Sequence, residues 1–109
     1  MINSNAMKAS KLDLAQMHQS AQQACKLMKV LSNPDRLMIL CQLSKSELSV
    51  GQIEALLGIM QPTLSQQLTV LREEKLVATR REGKSIYYKV ASPQALSVIS
   101  TLYEQFCQP

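Results

Sequence analysis

The sequence predicts a mainly α-helical domain with one small β-hairpin, in the order ααααββα. Three observations carry that reading. Apolar residues recur at helical spacing between positions 14 and 31; two capped, leucine-spaced segments follow, joined through Gly58; and residues 85–90 alternate behind a Gly-centred turn. At 109 residues the chain fits one domain. With 46% hydrophobic and 18% charged residues it is globular, which excludes a disordered or collagen-like chain.

Residues 1–11 are polar and are expected to form a flexible segment ahead of a domain spanning 12–109. The stripe Leu14, Met17, Ala21, Ala24, Met28 and Leu31 steps by 3, 4, 3, 4 and 3, as an amphipathic or heptad-like helix requires. Such a stripe either packs on the chain's own core or pairs two copies of it; the spacing leaves both open. Ser32-Asn33-Pro34-Asp35 starts a second helix. Asn33 can cap it, Pro34 suits its first position and Asp35 complements its positive end. The apolar run through Leu43 predicts burial on most sides. Ser49-Val50-Gly51-Gln52 has the capping-box form. The short helix behind it is expected to turn Val50, Ile53, Leu56 and Leu57 inward before Gly58 ends it. Pro62 then opens a helix with Leu64, Leu68 and Leu71 on one face. Two short helices joined by a Gly turn form a helix-turn-helix. Leu76–Arg81 and Ser85–Val90 read as strands around Glu82-Gly83-Lys84. A basic ribbon directly behind a helix-turn-helix is a wing, so the expected fold is a winged helix-turn-helix. Ser92 and Pro93 start the last helix, with Leu96, Ile99, Leu102, Tyr103 and Phe106 on its apolar face.

The formal charge of +4 is unevenly spread. Residues 61–91 carry six basic and three acidic residues, whereas 92–109 carry Glu104 alone. That density suits a polyanionic partner. The segment Gln61-Pro62-Thr63-Leu64-Ser65-Gln66-Gln67-Leu68 turns leucines to the core and is expected to offer Thr63, Ser65, Gln66 and Gln67 outward. Amides and hydroxyls suit base edges, and recognition helices enter the major groove N-terminal end first. Arg80, Arg81 and Lys84, with Lys89, put positive charge on the hairpin, where it can meet phosphates. Double-stranded DNA is therefore the expected partner.

These motifs resemble the ArsR/SmtB family of bacterial winged-helix repressors. The resemblance rests on Leu31-Ser32-Asn33-Pro34-Asp35-Arg36-Leu37-Met38-Ile39-Leu40, on Leu64-Ser65-Gln66-Gln67-Leu68-Thr69-Val70-Leu71-Arg72, on Leu76-Val77, and on Arg81-Glu82-Gly83-Lys84 before Tyr87-Tyr88. It covers roughly residues 12–107. Gln67 departs from it, since the family often has His there. The resemblance implies a homodimer built from the first and last helices, through Leu14, Met17, Ala21, Met28, Leu96, Ile99 and Tyr103. It also implies a near-palindromic operator and release of that operator when a small-molecule inducer binds.

The family's metal sites are absent from the matching positions. Ser49 and Gly51 stand where one site has thiolates, and 92–109 holds neither His nor Asp, which a second site uses. His18 lies in the first helix and reads as a surface residue. No metal and no cofactor are expected. Cys25, Cys41 and Cys107 are odd in number and include no C-x-x-C, so structural disulfides are not expected. By resemblance, Cys41 and Cys107 match the dithiol pair of the branch that includes BigR, SqrR and HlyU, which senses reactive sulfur species or oxidants. Lys45, four residues after Cys41, is expected to lower the Cys41 pKa and make it the attacking thiol, with Cys107 resolving. The rivals are arsenite or another thiophilic metal held by all three thiols, a DNA binder with inert cysteines, and a small redox enzyme. The enzyme reading lacks a His base near either thiol and a Gly-rich cofactor loop. Leu37–Cys41 is the longest unbroken apolar run, too short to span a bilayer. The N-terminus has no apolar stretch of signal-peptide length, so a cytoplasmic protein with no membrane partner is expected.

Overall fold

The computed structural model describes residues 11–107. Five helices and three strands follow in the order α1 (Lys11–Leu31), α2 (Pro34–Leu43), β1 (Leu48–Ser49), α3 (Val50–Leu57), α4 (Thr63–Glu73), β2 (Val77–Glu82), β3 (Ser85–Val90) and α5 (Pro93–Phe106). The expected flexible segment lies outside the described residues except for Lys11, which opens α1.

Local sequence chemistry sets most boundaries. Asn33 Oδ1 accepts the Arg36 N–H at 3.0 Å and caps α2. Ser49 and Gln52 form the reciprocal capping box of α3, at 3.2 and 2.8 Å. Ser92 Oγ accepts the Ala95 N–H at 3.1 Å and caps α5. Gly58 ends α3 at φ 67°, donating its N–H to the Glu54 carbonyl. A Cβ at Gly58 would meet nothing within 4 Å, so the cost of adding one is confined to the backbone. Gly58→Ala is therefore expected to lower stability by about 1–2 kcal/mol, read as a shift in the urea midpoint at unchanged slope.

The sheet departs from expectation. The hairpin pairs β2 with β3 from Val77↔Val90 to Glu82↔Ser85, around a Gly83-Lys84 turn with Gly83 at φ 61°. A third strand was not foreseen: β1 pairs antiparallel with β3 through Leu48↔Tyr88 and Ser49↔Tyr87, giving the order β1-β3-β2. The wing is thus anchored along β3 to the residues that lead into α3.

Ile39 and Leu40 of α2, Ile53 of α3, Leu64 and Leu71 of α4 and Ile99 of α5 are fully enclosed. Replacing such a side chain by Ala costs roughly 2–5 kcal/mol, so this cluster fixes how α4 sits against α2. Three apolar expectations are corrected. Leu56 is exposed rather than inward. Met38 leaves α2 less enclosed than its sequence suggested. Ile99 is buried within its own chain, so it is not available to a partner.

α1 behaves differently from the rest. Residues 13–26 are all exposed, Val30 and Leu31 at its end join the core, and Leu27 packs against it half-buried. Leu14 is 56%, Met17 49% and Met28 57% exposed, with Ala21 and Ala24 also open to solvent. On α5, Leu96 and Phe106 are exposed as well, and Tyr103 is half-buried. An open groove of about 470 Å³ is lined by Leu27 and Val30 of α1, Val98 of α5 and Leu76 just ahead of β2.

Candidate nucleic-acid interface and thiol pair

The buried face of α4 is Leu64, Leu68 and Leu71. At 100° per residue the opposite face carries Gln66 and Thr69, with Ser65 beside them, and all three are exposed. Gln61 precedes the helix; its Oε1 accepts from both the backbone N–H (3.1 Å) and the hydroxyl of Ser65. Gln61 therefore caps the first turn of α4 from its side chain, a task Pro62 cannot perform. Thr69 donates its hydroxyl to the Ser65 carbonyl at 2.8 Å. Sequence reasoning passed over Thr69, although it lies three residues after Gln66 and four after Ser65. Two expected outward residues are placed otherwise. Thr63 is half-buried, and Gln67 is half-buried with its oxygen held by Arg36 Nη1 at 2.9 Å.

Arg80, Arg81, Lys84 and Lys89 are exposed on the wing, yet they are not equivalent. Arg80 donates to Glu47 Oε1 from Nε at 2.8 Å, with Nη2 also 2.8 Å from that oxygen in an ion pair, and to Glu82 from Nη1 at 2.7 Å. Its guanidinium also lies over the Tyr87 ring, 4.6 Å from the centroid. Hydrogen bonding to Arg80 holds the Glu47 carboxyl below its usual range, and the same bond, then that to Glu82, raises the Arg80 pKa. Arg80 is a strut between the approach to β1 and the ribbon, and its charge is largely met within the chain. Arg81 reaches only the Gly83 carbonyl, at 3.4 Å.

At the far ends of α2 and α5 the structure brings a different set together. Cys41 is half-buried and Cys107 exposed, both as free thiols. Cys107 donates its backbone N–H to the Tyr103 carbonyl at 2.9 Å, and Lys45 Nζ stands 5.0 Å from the centre of the Tyr103 ring, within cation–π range. The expectation for Cys41 is corrected here. Burial pushes its thiol up, a nearby Cys107 thiolate raises it further, and the Lys45 ammonium lowers it without reversing the direction. Cys41 is thus a protonated, shielded thiol, and Cys107 is the accessible one. Cys25 lies exposed on α1. Among the described residues no group of three or more His, Cys, Asp or Glu side chains could hold a metal ion. Nor is any described helix long and apolar enough to cross a membrane.

Comparison with known proteins bears on the same elements. Residues 33–79, from the α2 cap through α4 into β2, match the family described as "Bacterial regulatory protein, arsR family". The biofilm growth-associated repressor of Agrobacterium fabrum is 49% identical over 98 residues, covering 90% of this chain and 84% of that one. The chain belongs to the arsR family of bacterial regulatory proteins. The transcriptional activator HlyU of Vibrio cholerae is 36% identical over 102 residues, 94% of each chain. Among solved structures, the transcriptional repressor BigR from Xylella fastidiosa superposes with a TM-score of 0.81 at 45% identity, covering 87% of this chain and 97% of that one. Membership in the family makes this chain a transcriptional regulator with a DNA-binding helix-turn-helix, and its wing is the β2–β3 ribbon.

Proposed function

We propose that this arsR-family protein is a homodimeric, DNA-binding transcriptional repressor whose hold on its operator is switched by the Cys41–Cys107 thiol pair. The observation that carries the DNA reading is the exposed, uncharged polar surface of the first two turns of α4, Ser65, Gln66 and Thr69, backed by enclosed leucines. Solvated helices are usually surfaced with Glu and Lys; a surface of amides and hydroxyls has the donor and acceptor pattern that base edges require. Arg81 and Lys84 on the wing supply phosphate contacts, which position the protein without reading sequence. The unburied stripe of α1, together with Leu96 and Phe106, supplies the apolar surface of a two-fold dimer. Such a dimer would place its reading helices in successive major grooves about 34 Å apart.

The switch reading is supported by the placement of Cys41 on α2 and Cys107 at the C-terminal cap of α5, where a Cys107 thiolate raises the Cys41 pKa. A persulfide or peroxide takes two electrons from the pair. One thiolate attacks the outer sulfur of a persulfide, expelling a thiolate, or a peroxide oxygen, expelling hydroxide. The second thiol then loses its proton, attacks the modified cysteine sulfur and closes a disulfide, expelling hydrosulfide or water, while a longer sulfur bridge takes its extra sulfur from a second persulfide. Exposure makes Cys107 the first to react and Cys41 the resolving thiol, the reverse of the order expected from sequence. A three-thiol arsenite site within one chain is disfavoured by Cys25, which joins no metal-holding group among the described residues.

The DNA reading is tested by titrating a labelled duplex from the region upstream of the protein's own gene, against a scrambled duplex of equal length. Preference for the first, with affinity falling steeply with salt, is expected; equal affinity would refute a sequence-reading role. In the same assay Arg81→Ala and Lys84→Ala are each expected to lower the slope of log affinity against log salt by about 1. Arg80→Ala, already paired with Glu47 and Glu82, is expected to change that slope less.

A further inference from the structure

One guanidinium joins three helices. Arg36, in the first turn of α2, donates from Nε to the Val30 carbonyl near the end of α1, at 2.8 Å, and from Nη1 to Gln67 Oε1 on α4, at 2.9 Å. Asn33 caps the Arg36 backbone N–H, so the side chain leaves from a fixed point. Arginine carries donors only, so the Gln67 atom that meets it is the carbonyl oxygen. A bidentate Gln–adenine pair needs that same oxygen, accepting from adenine N6 while the amide donates to N7. In this structure the oxygen is turned toward α2 instead. Helical spacing agrees, because Gln67 lies three residues after Leu64 and four before Leu71 and so flanks the buried face. Gln66, its neighbour, lies on the opposite side and is exposed.

We propose that Gln67 is a positioning residue, the socket through which Arg36 locks the reading helix α4 to α1 and α2, and that base reading falls to Gln66 and its exposed neighbours. The inference rests on the DNA-binding reading above and deepens it. α1 carries the exposed apolar stripe and α4 the reading face. The Arg36 link sets the distance of each reading helix from the two-fold axis without touching DNA. Arg36 also shares α2 with Cys41, so a displacement of α2 on bridging would pull on α4 through the same side chain.

The test uses four full-length proteins: wild type, Gln67→Glu, Arg36→Met and the double variant. Each is titrated against the upstream duplex and its single-base-pair variants, and each is also unfolded thermally without DNA. Glu keeps the acceptor that Arg36 needs. With Arg36 present, Gln67→Glu should hold operator affinity within about threefold of wild type, with an unchanged preference at every base pair. Arg36→Met should weaken all duplexes by a similar factor at an unchanged salt slope. In that background, adding Gln67→Glu should cost about tenfold or more, because the carboxylate has lost its cation and adds unpaired negative charge to the reading helix. Thermal midpoints should show the same non-additivity. Should Arg36→Met not fold, Arg36→Gln, which stays polar but carries no charge, takes its place. A loss of about tenfold or more in Gln67→Glu with Arg36 intact, centred on one base pair, would overturn the proposal and make Gln67 a base reader. Additive thermal effects would overturn it equally. A wild-type chain that binds no duplex would instead refute the DNA reading, while the thermal cycle would still judge the Arg36–Gln67 link.

Discussion

Replacing Leu14 and Met28 together by Glu is expected to yield a folded monomer with operator affinity reduced on the order of 10³-fold. Neither side chain contributes to the enclosed core; they are 56% and 57% exposed on a helix whose residues 13–26 touch solvent throughout. Their loss therefore costs the monomer little, whereas a carboxylate at each site of a two-fold interface is buried against its own copy. Two linked half-sites bind by mass action at a high effective concentration, and a monomer forfeits that advantage. Sedimentation and a duplex titration on the same sample check both halves of the statement. A dimer that survives the double substitution would place the interface elsewhere. Ile99→Glu is not an equivalent test, since Ile99 is enclosed and the variant would fail by unfolding.

Treatment of the reduced protein with polysulfide is expected to weaken operator binding by about tenfold or more, which requires a bias of only about 1.4 kcal/mol between the two arrangements of the dimer. Cys41→Ser and Cys107→Ser should both bind DNA as the reduced protein does and fail to respond, while Cys25→Ser should respond normally. The pH dependence follows from the direction of the Cys41 shift. Burial and Cys107 raise its pKa, so at neutral pH the thiol is protonated. Bridge closure, which needs its thiolate, should accelerate by about tenfold per pH unit until that raised pKa is reached. Lys45→Met removes the one lowering influence on Cys41 and should slow closure at a fixed pH. Stopped-flow mixing with polysulfide, followed by intact-mass detection of the bridge, reads both effects. Closure that does not vary with pH would remove Cys41 thiolate from the mechanism.

Legibility divided along the range of the interactions. The caps at Asn33, Ser49 and Ser92, the helix end at Gly58 and the full extent of β3 depend on residues a few positions apart, and the sequence displays them. β1 is two residues long and exists only by pairing with Tyr87 and Tyr88 across the chain, so no local alternation could announce it. The Arg80–Glu47 contact spans 33 residues and the Arg36–Gln67 contact 31; neither has a local signature, and both change the role read for a polar residue. Gln67 is a partial exception: it is expected outward, yet its spacing from Leu64 and Leu71 is a signal in the sequence that would have set it beside the leucine face. The apolar faces of α1 and α5 were visible as periodicity. Which of their residues turn inward was not: Ile99 and Leu96 belong to one stripe, and only the packing of α5 against α2 and β3 separates them. The pairing of Cys41 with Cys107 came from resemblance, and the shielding of Cys41 came from the structure alone.

In the proposed mechanism one protein both reads DNA and loses that hold when its thiols are bridged. That mechanism is tested most directly by fluorescence anisotropy of a labelled upstream duplex, titrated with the reduced protein, with the polysulfide-treated protein, and with the treated protein after dithiothreitol. Tight, salt-sensitive binding in the reduced state, a loss of about tenfold or more on treatment and full recovery with reductant are the expected results. The same affinity in all three states would contradict the account.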